Sequence, residues 1–232
     1  LLAIAGGAGL ASFVAACSAP SKPPLPTQQS TATLASTSIP VAPPPPTPAM
    51  SGVMLCRQAW GARAARPGGR PHTINRMTLH HSAVALPDNR GIIARLQQHQ
   101  RFHQDTKGWV DIAYHAAVDH DGNIFQLRDT AIAGDTATTY DTTGHFLVLA
   151  EGNFDQEAVS DAQLNGVALV FAWATSQFGI AVDTLATHRE VAPGTDCPGQ
   201  NLQAHVDSGD LANRIAGVIA QGFELQPICG PA

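Results

Sequence analysis

The chain has 232 residues, of which 44% are hydrophobic, and its formal net charge at neutral pH is −5. This apolar content is enough for one substantial core but hardly for two. Nucleic acid binding rests on clustered lysine and arginine, whereas this sequence has 13 basic residues and no basic run. We therefore predict one globular domain that does not bind nucleic acid.

The first 17 residues are uncharged and mostly apolar, and they end in Val14-Ala15-Ala16-Cys17. Such a stretch is too short to span a bilayer comfortably and is typical of the hydrophobic region of an export signal. Its last four residues resemble a bacterial lipobox, in which the cysteine is acylated; an ordinary cleaved signal with a chance cysteine is the alternative. We predict export and a lipid anchor on Cys17, and Ser18 favours the outer membrane, facing the periplasm.

Residues 18–52 are predicted to form a tether. They contain ten of the 17 prolines, eleven serine or threonine residues and a single charge, at Lys22. A segment with so few apolar residues cannot offset the entropy of ordering, so we expect it to be disordered. The folded domain is then predicted for residues 53–232, where all ten histidines lie.

Strand and helix patterns alternate through the predicted domain. In chain order they are a strand at 74–80, a helix at 91–104, strands at 112–119 and 123–127 around an Asp121-Gly122 turn, a strand at 146–150, a helix from a Ser160/Gln163 capping box to Gly179, a strand at 185–187 and a helix at 211–221 that buries Leu211, Ile215, Val218 and Ile219. This order indicates an α/β fold with a mixed central β-sheet flanked by helices on both faces.

Three residues of types that bind zinc lie at strand ends or in a short loop. His188 and Cys197 are joined by a loop that contains Pro193-Gly194, and the pair His80-His81 ends the strand at 74–80. Alternation along a strand directs only one of these two histidines towards a site. Three protein ligands leave the fourth position of tetrahedral zinc open, which is the catalytic arrangement. A structural zinc site would need a fourth protein ligand, and none is evident.

The two remaining cysteines, Cys56 and Cys229, flank the folded part at its ends. Export permits a disulfide between them, and the termini of a domain are often close together. Two unpaired buried thiols are the alternative.

Several short segments occur together in a characteristic order and spacing. They are Arg57-Gln58-Ala59-Trp60-Gly61-Ala62-Arg63, Leu79-His80-His81-Ser82, the run from Gly108 to His115, the run from Asp121 to Phe125, Glu151-Gly152-Asn153-Phe154, and His188-Arg189 with Cys197-Pro198-Gly199. As a set they resemble the type-2 N-acetylmuramoyl-L-alanine amidases and the related peptidoglycan recognition proteins. The resemblance covers residues 55–205, and it is specific as a set although each segment alone is weak.

The resemblance implies a zinc hydrolase that cleaves the amide between N-acetylmuramic acid and the L-alanine of the peptidoglycan stem peptide. It places His80, His188 and Cys197 where the zinc ligands lie, and Tyr114 where the catalytic tyrosine lies. Thr195 falls where the family carries lysine or threonine beside the metal. Peptidoglycan or muropeptides would be the partner of a monomer.

The implied roles agree with elementary chemistry. Tyr114 could donate its O–H to a developing oxyanion, and the uncharged Thr195 could orient water or the carbonyl. A non-catalytic peptidoglycan-binding module is the alternative function. Family members that lost hydrolysis typically lack the cysteine ligand, so the presence of Cys197 favours an enzyme.

The sequence departs from the family pattern near the expected site. Some relatives have a glutamate as general base where this chain has Leu149. Glu151 lies two residues further on and faces the same way; it could serve as the base, but its place at a strand exit favours a solvated or groove-lining carboxylate. Many relatives have Gly-Ala-His where this chain has Gly134-Asp135-Thr136, so we expect substrate contacts to differ there.

Overall fold

A computed structural model describes residues 50–230 of the chain. The predicted export signal, the lipid-anchor candidate Cys17 and nearly all of the predicted tether lie outside these residues. Of the helices between residues 50 and 230, none combines the length and the apolar character needed to cross a bilayer.

A mixed β-sheet lies at the centre of the described domain. Its seven strands are β1 (Met50–Leu55), β2 (Arg76–His81), β3 (Ala116–Val118), β4 (Ile124–Gln126), β5 (His145–Ala150), β6 (Leu185–Thr187) and β7 (Phe223–Ile228), arranged in the order β6-β2-β5-β3-β4-β1-β7. The hairpin of β3 and β4 is antiparallel, and the other neighbouring pairs are parallel.

Helices cover both faces of this sheet. They are α1 (Ile92–Arg101), which continues as a π-helical turn at Phe102–Thr106, α2 (Asp161–Phe178), α3 (His188–Val191), α4 (Gln200–Asp207) and α5 (Asp210–Gln221). The larger core joins α2 and α5 to the strand residues that point to one face, such as Leu79 and Val148. A smaller cluster joins Leu96 of α1 to Leu149 and Phe125 on the opposite face. The predicted fold class and the single domain are confirmed.

The first strand begins inside the segment predicted as tether. Met50 pairs with Phe223, and β1 and β7 run side by side along their whole length. This pairing gives the backbone groups of residues 50–52 partners in a sheet, which overrides the proline-rich composition before them. Directly after the two strands Cys56 and Cys229 form a disulfide, which decides between the two alternatives that the sequence left open.

Two helix predictions need correction. In α5 the buried residues include Leu211, Ile215 and Val218 as expected, but Ile219 is 41% exposed. At about 100° per residue Ile219 lies about 100° around the helix from Val218, beyond the edge of the buried stripe. At the start of α2 the Ser160 side chain accepts a hydrogen bond from the Gln163 N–H, as in a capping box. The Gln163 side-chain amide, however, donates to the carbonyl of Val118 at the end of β3 and to that of Glu151, the residue after β5.

Candidate metal centre and its surroundings

His80, His188 and Cys197 meet at one end of the sheet, and all three are buried. Their ligand atoms lie within 4.8 Å of one another, with His80 Nδ1 3.7 Å from Cys197 Sγ. A tetrahedral zinc ion with its usual bond lengths would separate such a nitrogen and sulfur by about 3.5 Å. The donor types and their spacing therefore fit zinc, and no other such cluster occurs within residues 50–230.

The register of β2 decides which histidine of the pair joins this cluster. His80 pairs with Leu149 of β5, and Leu149 belongs to the hydrophobic cluster under α1. His81 points to the other face, where its Nδ1 accepts a 3.4 Å hydrogen bond from the Phe154 N–H. The structure thus brings His80, and not His81, next to the other two donors.

A helix N-terminus places His188. Thr187 is the N-cap of α3, and the Glu190 carboxylate accepts hydrogen bonds from both the backbone N–H and the hydroxyl of Thr187. This reciprocal capping fixes the turn between β6 and α3. As the first residue of α3, His188 is held with its ring 4.6 Å from that of His80.

Backbone contacts hold Cys197 in the loop that follows α3. Its Sγ accepts a 3.4 Å hydrogen bond from the His81 N–H, and its own N–H donates to Thr195 Oγ1 at 3.2 Å. Two residues on, Gly199 has a positive φ of 87°, and a Cβ there would lie 2.7 Å from a backbone carbon of Phe154. Only glycine fits this approach, so the chain can turn immediately after the cysteine.

Burial keeps the three donors uncharged when no cation is present. Desolvation lowers the pKa of His80 well below its ordinary value, and it lowers the pKa of His188 to about 4. Desolvation also raises the pKa of the Cys197 thiol to about 12. Neutral imidazole is the form that binds metals, and a coordinated cation ionises a thiol outright. The site is therefore suited to a cation.

Tyr114 lies beside this cluster, with its ring 5.1 Å from that of His80. It is not in a regular strand, because β3 begins only at Ala116 and the strand predicted at 112–119 is shorter than expected. The guanidinium of Arg128 donates to the carbonyls of Asp111 and Ile112, so these groups are not free to continue the sheet. This buried arginine instead fixes the segment that carries the tyrosine.

The hydroxyl of Tyr114 is a free proton donor. Burial raises its pKa well above the ordinary tyrosine value, so the O–H stays protonated. The structure shows no hydrogen bond from this hydroxyl within residues 50–230. It is therefore available to a substrate atom placed near His80.

Glu151, the candidate base, follows β5 and has a side chain that is 0% exposed. The expectation of a solvated carboxylate is wrong. Its carboxylate oxygens lie 3.2 and 3.3 Å from Nε2 of His99 on α1, and Glu151 is not part of the three-residue donor cluster. A buried carboxylate needs a hydrogen-bonding partner, and His99 provides one.

Comparison with known proteins identifies the family. The family model described as N-acetylmuramoyl-L-alanine amidase matches residues 70–200, more than half of the chain. The chain belongs to this family.

The relatives within and around the amidase family are diverse. Peptidoglycan-recognition protein SC2 of Drosophila melanogaster is 28% identical over 152 residues, which cover 64% of this chain and 82% of the relative. The N-acetylmuramoyl-L-alanine amidase of Homo sapiens is 31% identical over 156 residues, which cover 63% of this chain and 26% of the human protein. A solved structure of mutant Drosophila PGRP-LB in complex with tracheal cytotoxin matches with a TM-score of 0.60 and 25% identity, covering 67% of this chain and 93% of that one.

Sequence reasoning missed two residues of this amidase family member that touch the histidine donors. The Tyr140 hydroxyl lies 3.3 Å from Nε2 of His80, and the Thr138 hydroxyl lies 2.8 Å from Nε2 of His188. Both follow Gly134-Asp135-Thr136, where the chain departs from the family's Gly-Ala-His pattern, by two and four residues. The only sequence signal was an unusual concentration of threonine around a single tyrosine at 136–143.

Proposed function

We propose that the chain is a zinc-dependent N-acetylmuramoyl-L-alanine amidase that hydrolyses the amide between N-acetylmuramic acid and the L-alanine of the stem peptide. One observation carries this proposal: a buried His80, His188 and Cys197 cluster lies beside Tyr114, whose hydroxyl makes no hydrogen bond within residues 50–230. Family membership supports the reaction class. A peptidoglycan-binding module alone would not need three metal donors and a free proton donor together.

His80, His188 and Cys197 would hold the zinc ion. When bound at such a site, zinc polarises a carbonyl and lowers the pKa of water to about 7. The two buried histidines are neutral at neutral pH, so a cation would not compete with protons for them, whereas the Cys197 thiol would lose its proton when the cation binds. Because the described cluster has three protein donors, it leaves room for water and substrate.

Tyr114 and Thr195 would act on the substrate. As an amide carbonyl is attacked, negative charge develops on its oxygen, and the Tyr114 O–H would donate a hydrogen bond to it. The Thr195 hydroxyl already accepts from the Cys197 N–H and keeps its own proton for donation. It can orient a water molecule or a carbonyl, but it brings no positive charge.

The reaction is tested by incubating purified peptidoglycan with residues 18–232, followed by mass spectrometry of the soluble products. We expect stem peptides that begin at L-alanine and glycans that retain an intact lactyl carboxyl group, because only that amide is cut. A His80→Gln protein prepared in parallel controls for contaminating hydrolases. Sedimentation with peptidoglycan without any released peptide would contradict the proposal and leave a binding module.

We also propose that the protein is lipid-anchored through Cys17 in the cell envelope, on the outer membrane facing the periplasm. The anchor is supported by the Val14-Ala15-Ala16-Cys17 sequence, and the outer membrane by Ser18. In a Gram-negative host we expect the unchanged protein in the membrane fraction, and the Cys17→Ala protein either soluble or unprocessed. Recovery of the unchanged protein as a soluble periplasmic species would refute the anchor.

A further inference from the structure

We infer that Tyr140 and Thr138 are positioning residues that fix the ring orientation and the tautomer of the two histidine donors. This inference rests on the proposed zinc site. It concerns two residues to which the family resemblance assigns no role.

The two ring nitrogens of His80 face different partners. Nδ1 lies 3.7 Å from Cys197 Sγ, whereas Nε2 lies 3.3 Å from the Tyr140 hydroxyl. A neutral imidazole carries one proton, so if Nδ1 binds a metal the proton must be on Nε2. The Nε2–H then donates to the Tyr140 oxygen, which favours this tautomer.

His188 shows the same division of roles. Its Nε2 lies 2.8 Å from the Thr138 hydroxyl oxygen, which leaves Nδ1 as the nitrogen available to a metal. The Thr138 hydroxyl can accept a hydrogen bond from Nε2–H and donate one to Thr136 Oγ1, 2.8 Å away. Each histidine donor thus has a hydroxyl group at its Nε2 atom, away from the nitrogen that would bind the metal. Outer partners of this kind normally orient metal-binding histidines and tune their affinity.

The segment that carries both hydroxyls is itself fixed. The Thr138 N–H donates to Thr136 Oγ1 at 3.1 Å, and the Thr142 hydroxyl donates to the Gly134 carbonyl at 2.7 Å. The Tyr140 ring also packs 5.3 Å from the ring of His188 and 5.3 Å from that of His145. The hydroxyls are therefore held in place by contacts that do not involve the metal donors' nitrogen atoms.

Tyr140 is unsuited to a direct role on the substrate. Its hydroxyl faces the Nε2 edge of His80, on the other side of the ring from the Nδ1 edge that faces Cys197. Tyr114 lies next to the same ring, and its hydroxyl makes no hydrogen bond to any residue that the structure describes. The two tyrosines therefore have different roles: the Tyr114 hydroxyl can donate to the substrate, and the Tyr140 hydroxyl orients the ring of His80.

The test is the zinc affinity of the full chain, measured by competition with a chromophoric chelator at constant pH. We expect Tyr140→Phe and Thr138→Val each to weaken zinc binding by about 10- to 100-fold, the usual effect of removing an outer partner. Thr139→Val is the matched control, because Thr139 lies between the two positions, is exposed, and makes no side-chain hydrogen bond within the described residues. Thr138→Ser keeps the hydroxyl and should restore most of the affinity.

A second readout does not depend on activity or on the variants. In the zinc-loaded wild type, long-range nitrogen NMR spectra should show the ring protons of His80 and His188 on Nε2. Protons on Nδ1 would overturn the inference. So would wild-type affinity in both Tyr140→Phe and Thr138→Val, once circular dichroism shows that they are folded. Failure of the wild type itself to bind zinc would instead refute the proposed function.

Discussion

Replacing Cys197 by serine is expected to remove nearly all zinc from the protein. The unchanged chain, with three protein ligands at one site, should contain about one zinc ion. A thiolate is the ligand that a cation stabilises in this pocket, and the serine hydroxyl does not ionise there. The loss should exceed the about 10- to 100-fold weakening expected for the outer partners. It is measured as zinc per chain by elemental analysis after dialysis, and amidase activity should fall with it.

The neighbouring histidines provide the control for this experiment. His80→Gln should lose zinc like Cys197→Ser, whereas His81→Gln should keep it, because His81 points to the opposite face and accepts a hydrogen bond from Phe154. Glutamine can accept the same hydrogen bond through its amide oxygen. Full zinc retention by Cys197→Ser, or zinc loss from His81→Gln alone, would show that the ligand assignment is wrong.

The parts of the fold that were predictable are those with a strong apolar signal. The strand β5 and the long helix α2 are hydrophobic for most of their length, and each was located to within a few residues. The strand β2 was also located, although only Met77 and Leu79 of its six residues are apolar. The edge strand β7 was missed although Phe223 to Gln226 alternate between apolar and polar residues, because the run is short and contains Pro227, which counts against a strand. The start of α3 was readable after all, since Thr187 and Glu190 have the spacing of a capping box.

The candidate metal centre was likewise predictable only in part. His80, His188 and Cys197 could be grouped because residue type and strand position both indicated a metal, and the structure brings them together. The depth of Glu151 could not be predicted, since alternation gives the face of a residue but not what packs over it. Its burial depends on His99, which is 52 residues away in sequence.

Tyr140 and Thr138 lay beyond sequence reasoning for another reason. They occupy an irregular polar segment whose path is set by hydrogen bonds such as that from Thr142 to the Gly134 carbonyl. Polar loop residues carry no periodic pattern, so nothing in their spacing shows which face the site. Residues that act through a metal ligand are thus harder to read from sequence than the ligands themselves.

Replacing Tyr114 by phenylalanine is expected to lower amidase turnover by roughly 100- to 1000-fold while zinc remains bound. Loss of one donor to a developing oxyanion typically costs about 2.7–4 kcal/mol in the transition state. The Tyr114 hydroxyl is suited to that role because burial keeps it protonated and it has no partner among residues 50–230. Removing it leaves the donor cluster intact, so the zinc content should not change.

Glu151→Gln is the comparison that separates this role from general-base catalysis. Removal of a general base usually costs at least about 100-fold in rate, yet we expect less than about tenfold here. The reason is that the Glu151 carboxylate is fully buried against His99 and lies outside the donor cluster. Both variants are assayed for turnover on muropeptides at saturating zinc, with zinc content and thermal unfolding measured on the same samples. If Glu151→Gln loses more turnover than Tyr114→Phe while remaining folded and zinc-loaded, the general-base role belongs to Glu151, and Tyr114 is a packing residue.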